Sequence, residues 1–465
     1  MACFLLNGCK TTVKIPYVEQ TENYTVYHIN IKVGDIEWKV QHRYNDFVEL
    51  HEKLVTDNGV AKDILPPKKV IGNRDPAFIE KRRDGLEKYL TTVIHFLQKA
   101  MPRELALFLD FHLYDILFLL QNMALQFFIE GDTLLQNSRH YTFSPLQLFA
   151  ISERLKQPRP APELLDRRLD FSHVLDFCSQ LTSIKVLGSR AAVGTSNIVP
   201  SSLPFELSVF RSLESLELAE VPPTNVYGLG ALRSSLENLS VNFSGLETLS
   251  YALLCDQLHR DPSDARDDQH AWKAVNSANF SHNLLTCVDE SVRLLPALEK
   301  LNLSHNRITD VNNLTLLPRL SHLDLSVNQL SETGPLHMKV GNIVQLNLSQ
   351  NCISSLTGFS RLYSLEDLDL LDNRIEHIHE ISHICALPCL ENLVLIGNPV
   401  SIEVDYRVRV FEQFGSRACE LCLDNEKATS KELDTAAVLQ ALRIVKEGRT
   451  PTLCIRELPC FPNSP

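Results

Sequence analysis

Between Asn23 and Arg43 the apolar side chains fall on every second position. Tyr27, Ile29, Ile31 and Val33 alternate with polar residues, Gly34-Asp35 turns the chain, and Ile36, Trp38 and Val40 resume the alternation. A period of two puts these side chains on one face, so the segment predicts a β-hairpin with one buried side. The period then changes. Phe47, Leu50 and Leu54 follow Asn45 and Asp46 at helical spacing, and either polar residue can cap a first turn. A second helix is predicted from Asp75-Pro76 through Ile79, Leu86, Leu90 and Leu97. Between the helices lies "ILPPKKVIGN", whose prolines stiffen a loop that presents Lys68 and Lys69 beside Val70 and Ile71.

Residues 116–180 read as a helical linker around the proline-rich "KQPRPAPELL". From residue 181 the period lengthens to a whole supersecondary unit, L-x-x-L-x-L-x-x-N-x-L. It is seen as "LEKLNLSHNRI", "LSHLDLSVNQL", "IVQLNLSQNCI", "LEDLDLLDNRI" and "LENLVLIGNPV". Asn283, Asn306, Asn328, Asn351, Asn373 and Asn398 recur every 22 to 25 residues, the spacing of leucine-rich repeats. Degenerate units begin at Leu181, Leu213 and Leu236, giving about nine units. An acidic insertion, "DQLHRDPSDARDDQH", separates the third from the fourth.

The unit explains its own letters. Leucines at its first, fourth, sixth and eleventh positions point inward and stack on neighbouring turns, while the asparagine can satisfy backbone groups where the chain bends away from the strand. The residues between the leucines face out from a concave sheet. They are Asn279, Lys300, Asn302, His322, Asp324, Gln345, Asn347, Asp367 and Asp369. Such a ladder is expected to bind protein, with Lys300, His322, Asp324, Gln345, Asp367 and Asp369 as candidates, against the alternative of plain solvation.

Charge changes this picture locally. The net charge is −12, yet residues 1–115 hold 16 basic and 16 acidic side chains, so the whole excess lies downstream. No basic domain of the kind a nucleic-acid binder carries is present, and no nucleic-acid partner is expected. Residues 62–83, however, hold seven basic side chains against three acidic ones, which predicts a local anion site. No uninterrupted apolar run reaches the ~18 residues of a membrane span. The opening "MACFLLNGCK" lacks the basic start of a secretory signal. The expectation is a soluble, intracellular chain whose 12 cysteines are reduced packing residues.

The sheet, "RYNDF", the first helix, the Pro-Pro-Lys loop and the helix "FIEKRRDGLEKYL" together resemble a phox-homology (PX) domain, the phosphoinositide-binding module of endosomal proteins. The resemblance covers residues 12–115. It implies that Arg43 holds the 3-phosphate of phosphatidylinositol 3-phosphate, that Tyr44 stacks on the inositol ring, that Lys68 meets the 1-phosphate and that Arg82 bonds the 4- and 5-hydroxyls. Val70 and Ile71 would enter the bilayer interface beside the basic cluster. The chemistry agrees, since a planar guanidinium matches phosphate oxygens and lysine serves as a point charge. Where many family members have Arg-Arg-Tyr, this chain has His42-Arg43-Tyr44, so one positive charge is lost or made pH-dependent.

After the last repeat, "NPVSIEVDYRVRVFEQFGSRACELCLDN" resembles the cap of intracellular leucine-rich-repeat proteins, in which a Tyr-Arg segment and a terminal Leu-Asp close the open core. The expected architecture is an α+β PX domain with a small antiparallel sheet (12–115), a helical linker (116–180), an α/β leucine-rich-repeat solenoid (181–400), its cap (401–427), and a C-terminal helix and unstructured tail (428–465). That order is similar to the imidazoline-receptor-candidate family. The similarity implies a non-enzymatic scaffold on early or recycling endosomes and the inner plasma membrane. Its implied partners are an integrin α-subunit tail and a Rho-family GTPase or effector kinase, its implied effect is restraint of cell migration, and no cofactor is implied. Two alternatives stand beside it. A PX domain can bind protein instead of lipid, and "HEISH" (379–383) matches the zinc-protease pattern H-E-x-x-H. Against the latter, Ile375, Ile378, Ile381, Ile384 and Leu387 run through the segment as an inward stripe that leaves His379 and His383 outside. "CELC" is likewise a lone pair of cysteines, expected to be without metal.

Overall fold

The computed structural model describes residues 11–68, 75–97, 101–157, 166–255 and 270–446. The chain divides into two compact units, Met1–Gly245 with Cys255–Arg260 and Leu246–Leu254 with Asp261–Pro465.

In the first unit, Thr11–Gln20 (β1), Thr25–Val33 (β2) and Ile36–Arg43 (β3) form an antiparallel sheet in sequence order. Gly34, at φ 61°, makes the β2–β3 turn, and Val33 pairs with Ile36 directly across it. The predicted alternation holds: Tyr27, Ile29, Ile31, Val33, Trp38 and Val40 are buried. Tyr44–Asn58 (α1) and Pro76–Phe96 (α2) cover that face, with Phe47, Leu50, Leu54, Leu86 and Leu90 in the same core. Asp75 caps α2 by accepting from the Phe78 N–H at 3.2 Å, as the sequence predicts. Pro16 sits where the register of β1 slips between Lys14 and Tyr17. Side chains of α2 take up the backbone groups this frees. Glu87 accepts from the Ile15 N–H at 2.7 Å, and Arg83 donates to the Ile15 carbonyl at 2.6 Å.

Short helices Arg103–Phe108 (α3) and Phe111–Tyr114 (α4) lead into Ile116–Asn137 (α5). Residues 116–180 are not helical throughout, contrary to expectation. His140–Phe143 (β4) is a strand, flanked by α5, Pro145–Leu155 (α6) and, further on, Ser172–Gln180 (α7). β4 pairs in parallel with Ser183–Leu187 (β5), from His140↔Ser183 to Phe143↔Val186, so the parallel sheet begins ahead of Leu181. Four residues between two helices are too few to display an alternation, which is why the strand is invisible in the pattern. The small pair Phe205–Glu206 (β6) and Val226–Tyr227 (β8) lies apart, while Ser215–Ala219 (β7) and Asn238–Asn242 (β9) continue the sheet in the order β4-β5-β7-β9.

The antiparallel sheet and these first repeats share one body. The loop 193–198 runs along the free edge of β3. The Asn197 amide donates to the Asp35 carbonyl (2.9 Å) and accepts from the Glu37 N–H (3.1 Å), and its own N–H donates to the Glu37 carbonyl (3.1 Å). The Thr195 hydroxyl accepts from the Lys39 N–H (3.1 Å) and donates to the Lys39 carbonyl (2.7 Å). Ile198, 2% exposed, belongs to the core of the antiparallel sheet, as does Leu146 of α6.

The second unit opens with Ser250–Leu253 (α8). It continues as three-residue parallel strands: Ser277–Asn279 (β10), Lys300–Asn302 (β11), His322–Asp324 (β12), Gln345–Asn347 (β13), Asp367–Asp369 (β14) and Asn392–Val394 (β15). Only one short helix, His337–Val340 (α9), interrupts this series, and the return segments are otherwise largely 3-10 turns. The leucines inside the strands are buried, and the recurrent asparagines are buried behind them. Asn306 shows their task. Its amide donates to the carbonyls of Phe280, Leu303 and Ser304 at 2.9–3.1 Å and accepts from the Leu285 N–H at 3.1 Å. The residue before each asparagine turns the corner at positive φ: His282, His305, Val327, Gln350 and Asp372, with Gly397 in the last unit.

Tyr406–Phe414 (α10), the hairpin Cys422–Leu423 (β16) with Glu426–Lys427 (β17), and Ser430–Lys446 (α11) follow the last repeat. Asp424 follows Leu423 in register with Val394 of the last repeat. It accepts from the Leu395 N–H at 2.8 Å, and its other oxygen accepts from the Tyr406 hydroxyl at 2.8 Å. Arg407 donates to the Leu423 carbonyl and to Glu432 of α11 at 2.8 Å, tying both ends of the closure together. The expected tail beyond residue 446 lies outside the described residues.

Candidate functional site

Strand β3 ends and α1 begins at Arg43-Tyr44, so two adjacent residues leave the sheet in different directions. The Asp46 carboxylate receives the Arg43 N–H at 2.8 Å, which fixes the helix start and leaves the Arg43 side chain outside. Its guanidinium forms no ion pair among the described residues, and instead lies 3.5 Å from the centre of the Tyr24 ring. Tyr44 is half-buried and its hydroxyl donates to the Pro66 carbonyl, anchoring the Pro-Pro-Lys loop to the start of α1. Lys68, two residues further, is exposed. On the other side the loop approaches α2 so closely that a Cβ at Gly85 would stand 2.8 Å from Pro66 Cγ. Val70 and Ile71 lie outside the described residues.

Arg82 is the unusual member. It is 8% exposed, its guanidinium sits between the rings of Tyr44 (4.3 Å) and Phe78 (4.4 Å), and its Nε and Nη2 have no hydrogen-bond partner among the described residues. A buried cation with idle donors is costly unless something completes it. Burial pushes the Tyr27 and Tyr44 phenols above their ordinary range, and Arg82 offsets part of each rise, at Tyr44 by its charge. The neighbouring Arg83 differs in kind. It is spent on Glu80, Asp84 and the Ile15 carbonyl, so it belongs to the fold. His42 points away from the Arg43 pocket. Its ring stacks on Phe108 at 3.7 Å and its Nε2 lies 2.6 Å from the Phe108 carbonyl. Its Nδ1 also lies 3.6 Å from the Asp46 carboxylate that receives the Arg43 N–H.

Of the residues expected at this site, Tyr44 touches both Arg82 and the loop that leads to Lys68, while Arg43 precedes Tyr44 and lies on Tyr24. Sequence reasoning misses Tyr24 and Phe78, the rings that hold the two arginines. An aromatic beside a turn and another at a helix start carry no pattern, and only the folded register brings them to the cations.

The concave face is in register as expected. Lys300, His322, Gln345 and Asp367 stand side by side on successive strands, as do Asn302, Asp324, Asn347 and Asp369. They line a shallow open groove of about 510 Å3. The second row has a structural duty as well: one side-chain oxygen of Asn302, Asp324, Asn347 and Asp369 accepts the N–H two residues on, at 2.9–3.0 Å. Asp367 is engaged laterally by the amides of Gln345, at 2.8 Å, and Asn392. Burial and the like charges of Asp324 and Asp372 hold the Asp369 carboxyl above the usual carboxylate range.

The "HEISH" segment is a 3-10 turn, Ile378–His383, with Ile375, Ile381, Ile384 and Leu387 buried. The Glu380 carboxylate accepts from the Leu356 N–H (2.7 Å) and the Ser355 hydroxyl (3.0 Å), which closes the preceding turn. The His379 side chain is 67% exposed. No group of three or more His, Cys, Asp or Glu among the described residues is placed to hold a metal, and the described cysteines are free thiols.

Comparison with known proteins agrees with this geometry. Residues 32–112 match the PX domain family. The chain is similar to the human serine/threonine-protein kinase 11-interacting protein, 37% identical over 221 residues, which is 46% of this chain and 19% of that protein. It is also similar to the Gallus gallus protein of the same name, 33% identical over 48% of this chain and 21% of that one. The chain thus spans about a fifth of the length of these relatives. Similarity to the Rattus norvegicus serine/threonine-protein kinase Sgk3 is 33% over 79 residues, 17% of this chain and 16% of that protein, and is confined to the PX segment. Among solved structures, a designed CISK-PX domain is 36% identical over 21% of this chain and 98% of its own, with a TM-score of 0.20. An internalin from Listeria monocytogenes is 22% identical over 49% of this chain and 58% of its own, with a TM-score of 0.34. The chain carries a PX domain, followed by a parallel-sheet region built of leucine-rich repeats.

Proposed function

We propose that this chain is a non-enzymatic scaffold. Its PX pocket, made of Arg43, Tyr44, Lys68 and Arg82, takes phosphatidylinositol 3-phosphate at a membrane surface, and the concave face of its repeats takes protein partners. The observation that carries the lipid half is Arg82, whose buried guanidinium lies between two rings with Nε and Nη2 lacking a hydrogen-bond partner among the described residues. A ligand with hydroxyls and phosphates side by side supplies the missing acceptors, and Arg43 and Lys68 bring charge to the same loop. Attachment of this kind is peripheral. No helix of the described residues is long and apolar enough to cross a membrane. Val70 and Ile71 remain the proposed insertion pair by family resemblance.

The order of PX domain, repeats and cap resembles the N-terminal part of nischarin, the imidazoline-receptor candidate. That resemblance supports an integrin α-subunit tail and a Rho-family GTPase or effector kinase as partners, early or recycling endosomes and the inner plasma membrane as the location, and restraint of migration as the outcome. The name of the kinase 11-interacting relatives adds a second candidate, a serine/threonine kinase, for the repeats.

Flotation of the chain with liposomes carrying each phosphoinositide tests the lipid half. The expected result is recovery with phosphatidylinositol 3-phosphate that is lost in Arg82→Gln. Equal recovery on phosphatidylcholine alone, or no recovery on any phosphoinositide, would assign the PX domain to protein binding instead.

A further inference from the structure

Among the described residues Tyr24 is the one aromatic side chain against the Arg43 guanidinium, and nothing in the lipid-binding reading above assigns it a role. It sits in the turn between β1 and β2, and its backbone is pinned there. The Thr21 N–H and hydroxyl both donate to the Tyr24 carbonyl at 2.9 Å, and the Thr21 hydroxyl accepts from the Tyr24 N–H at 3.2 Å. Sheet register then aims the ring. Arg43 pairs with Val26 across β2 and β3, and Tyr24 lies two residues before Val26, on the same face and diagonal to Arg43. The ring is 39% exposed, so core packing does not explain it.

We propose that Tyr24 is a positioning residue for the phosphate-binding arginine and thereby part of the headgroup site. The inference rests on the reading of Arg43 as a phosphate ligand. A long exposed arginine samples many rotamers, and each must be given up when a phosphate is clamped by two N–H groups. The face of Tyr24 attracts the flat guanidinium through the ring quadrupole. This covers one face of the cation and leaves its N–H edge open, which is the edge a phosphate meets. Preorganisation of this kind strengthens binding without a contact to the ligand.

The competing explanation is that Tyr24 touches the bilayer, as an exposed aromatic near a lipid site can. The two are separable. The full-length chain and its Tyr24→Phe, Tyr24→Leu and Arg43→Gln variants are titrated with soluble inositol 1,3-bisphosphate and, separately, with phosphatidylinositol 3-phosphate vesicles. Tyr24→Leu is expected to weaken the soluble headgroup about two- to fivefold, Tyr24→Phe to match the parent, and Tyr24→Leu to add nothing on an Arg43→Gln background. A loss confined to vesicles makes Tyr24 a membrane contact and overturns the proposal. So does an unchanged Tyr24→Leu titration, or a Tyr24→Phe as weak as Tyr24→Leu, while Arg43→Gln still weakens binding. An Arg43→Gln variant that binds normally overturns the lipid reading itself, and this proposal with it.

Discussion

Asn328 spends its whole amide on backbone. It donates to the carbonyls of Leu303, Leu325 and Ser326 and accepts from the Ile308 N–H, all at 2.9–3.1 Å and out of reach of water. Asn328→Ala orphans a buried N–H and removes a donor shared by three carbonyls. At about 1–3 kcal/mol for each orphaned group, the second unit should lose at least ~2 kcal/mol, read as a lower urea midpoint. A midpoint within error of the parent would mean that the ladder does not hold the corners. Asp369 makes a different residue-scale prediction. Its folded carboxyl is held above the ordinary value, so the native state binds the proton more tightly than the unfolded chain. Stability from this group therefore rises as pH falls through the raised folded value, and the gain is complete below about pH 4. Asp369→Asn keeps the acceptor for the Leu371 N–H, so it should raise the melting temperature slightly at pH 7 and flatten the profile across that window. A steeper profile in the variant would refute the assignment. At this scale the asparagines were legible because they repeat. The duty of Asp324 and Asp369 to backbone was not, since the same letters also describe a solvated face.

Among the elements, the loop 193–198 behaves as an added edge for β3. It replaces a neighbouring strand with two side chains, Thr195 and Asn197, that serve the backbone of Asp35, Glu37 and Lys39. Thr195→Val with Asn197→Ala should speed hydrogen exchange of the Glu37 and Lys39 amides in the intact chain by more than tenfold, with little change at Ile29 or Ile31. Unchanged exchange at Glu37 and Lys39 would show that the edge needs no cover. The closing elements make a parallel case. A chain ending at residue 400 lacks Asp424, Tyr406 and Arg407, so the Leu395 N–H loses its acceptor and the leucines of the last repeat lose their cover. It should aggregate where the full chain stays in solution, because end repeats need a polar cap; equal solubility would remove the capping role. The hairpin, both helices and the regular repeats were legible, since long periods dominate their sequences. Strand β4 and the loop along β3 were not: the strand is four residues long, and the loop's function depends on partners roughly 160 residues away.

On the scale of the whole molecule, the antiparallel sheet and the first repeats form one compact unit, so the pocket proposed for lipid and the start of the solenoid are parts of the same body. A boundary at residue 115 or 180, natural from the sequence, cuts through a shared core that includes Leu146 and Ile198. Arg43 carries the proposed lipid site: its guanidinium lies on Tyr24 and forms no ion pair among the described residues. The most direct test is Arg43→Gln in the full-length chain, with liposome affinity and thermal melting measured on the same sample. Loss of charge-assisted hydrogen bonds, at about 1.5–3 kcal/mol each, should weaken binding to phosphatidylinositol 3-phosphate at least tenfold, while the melting temperature stays that of the parent. Intact lipid binding, or a chain that no longer folds, would contradict the account by making Arg43 a structural residue.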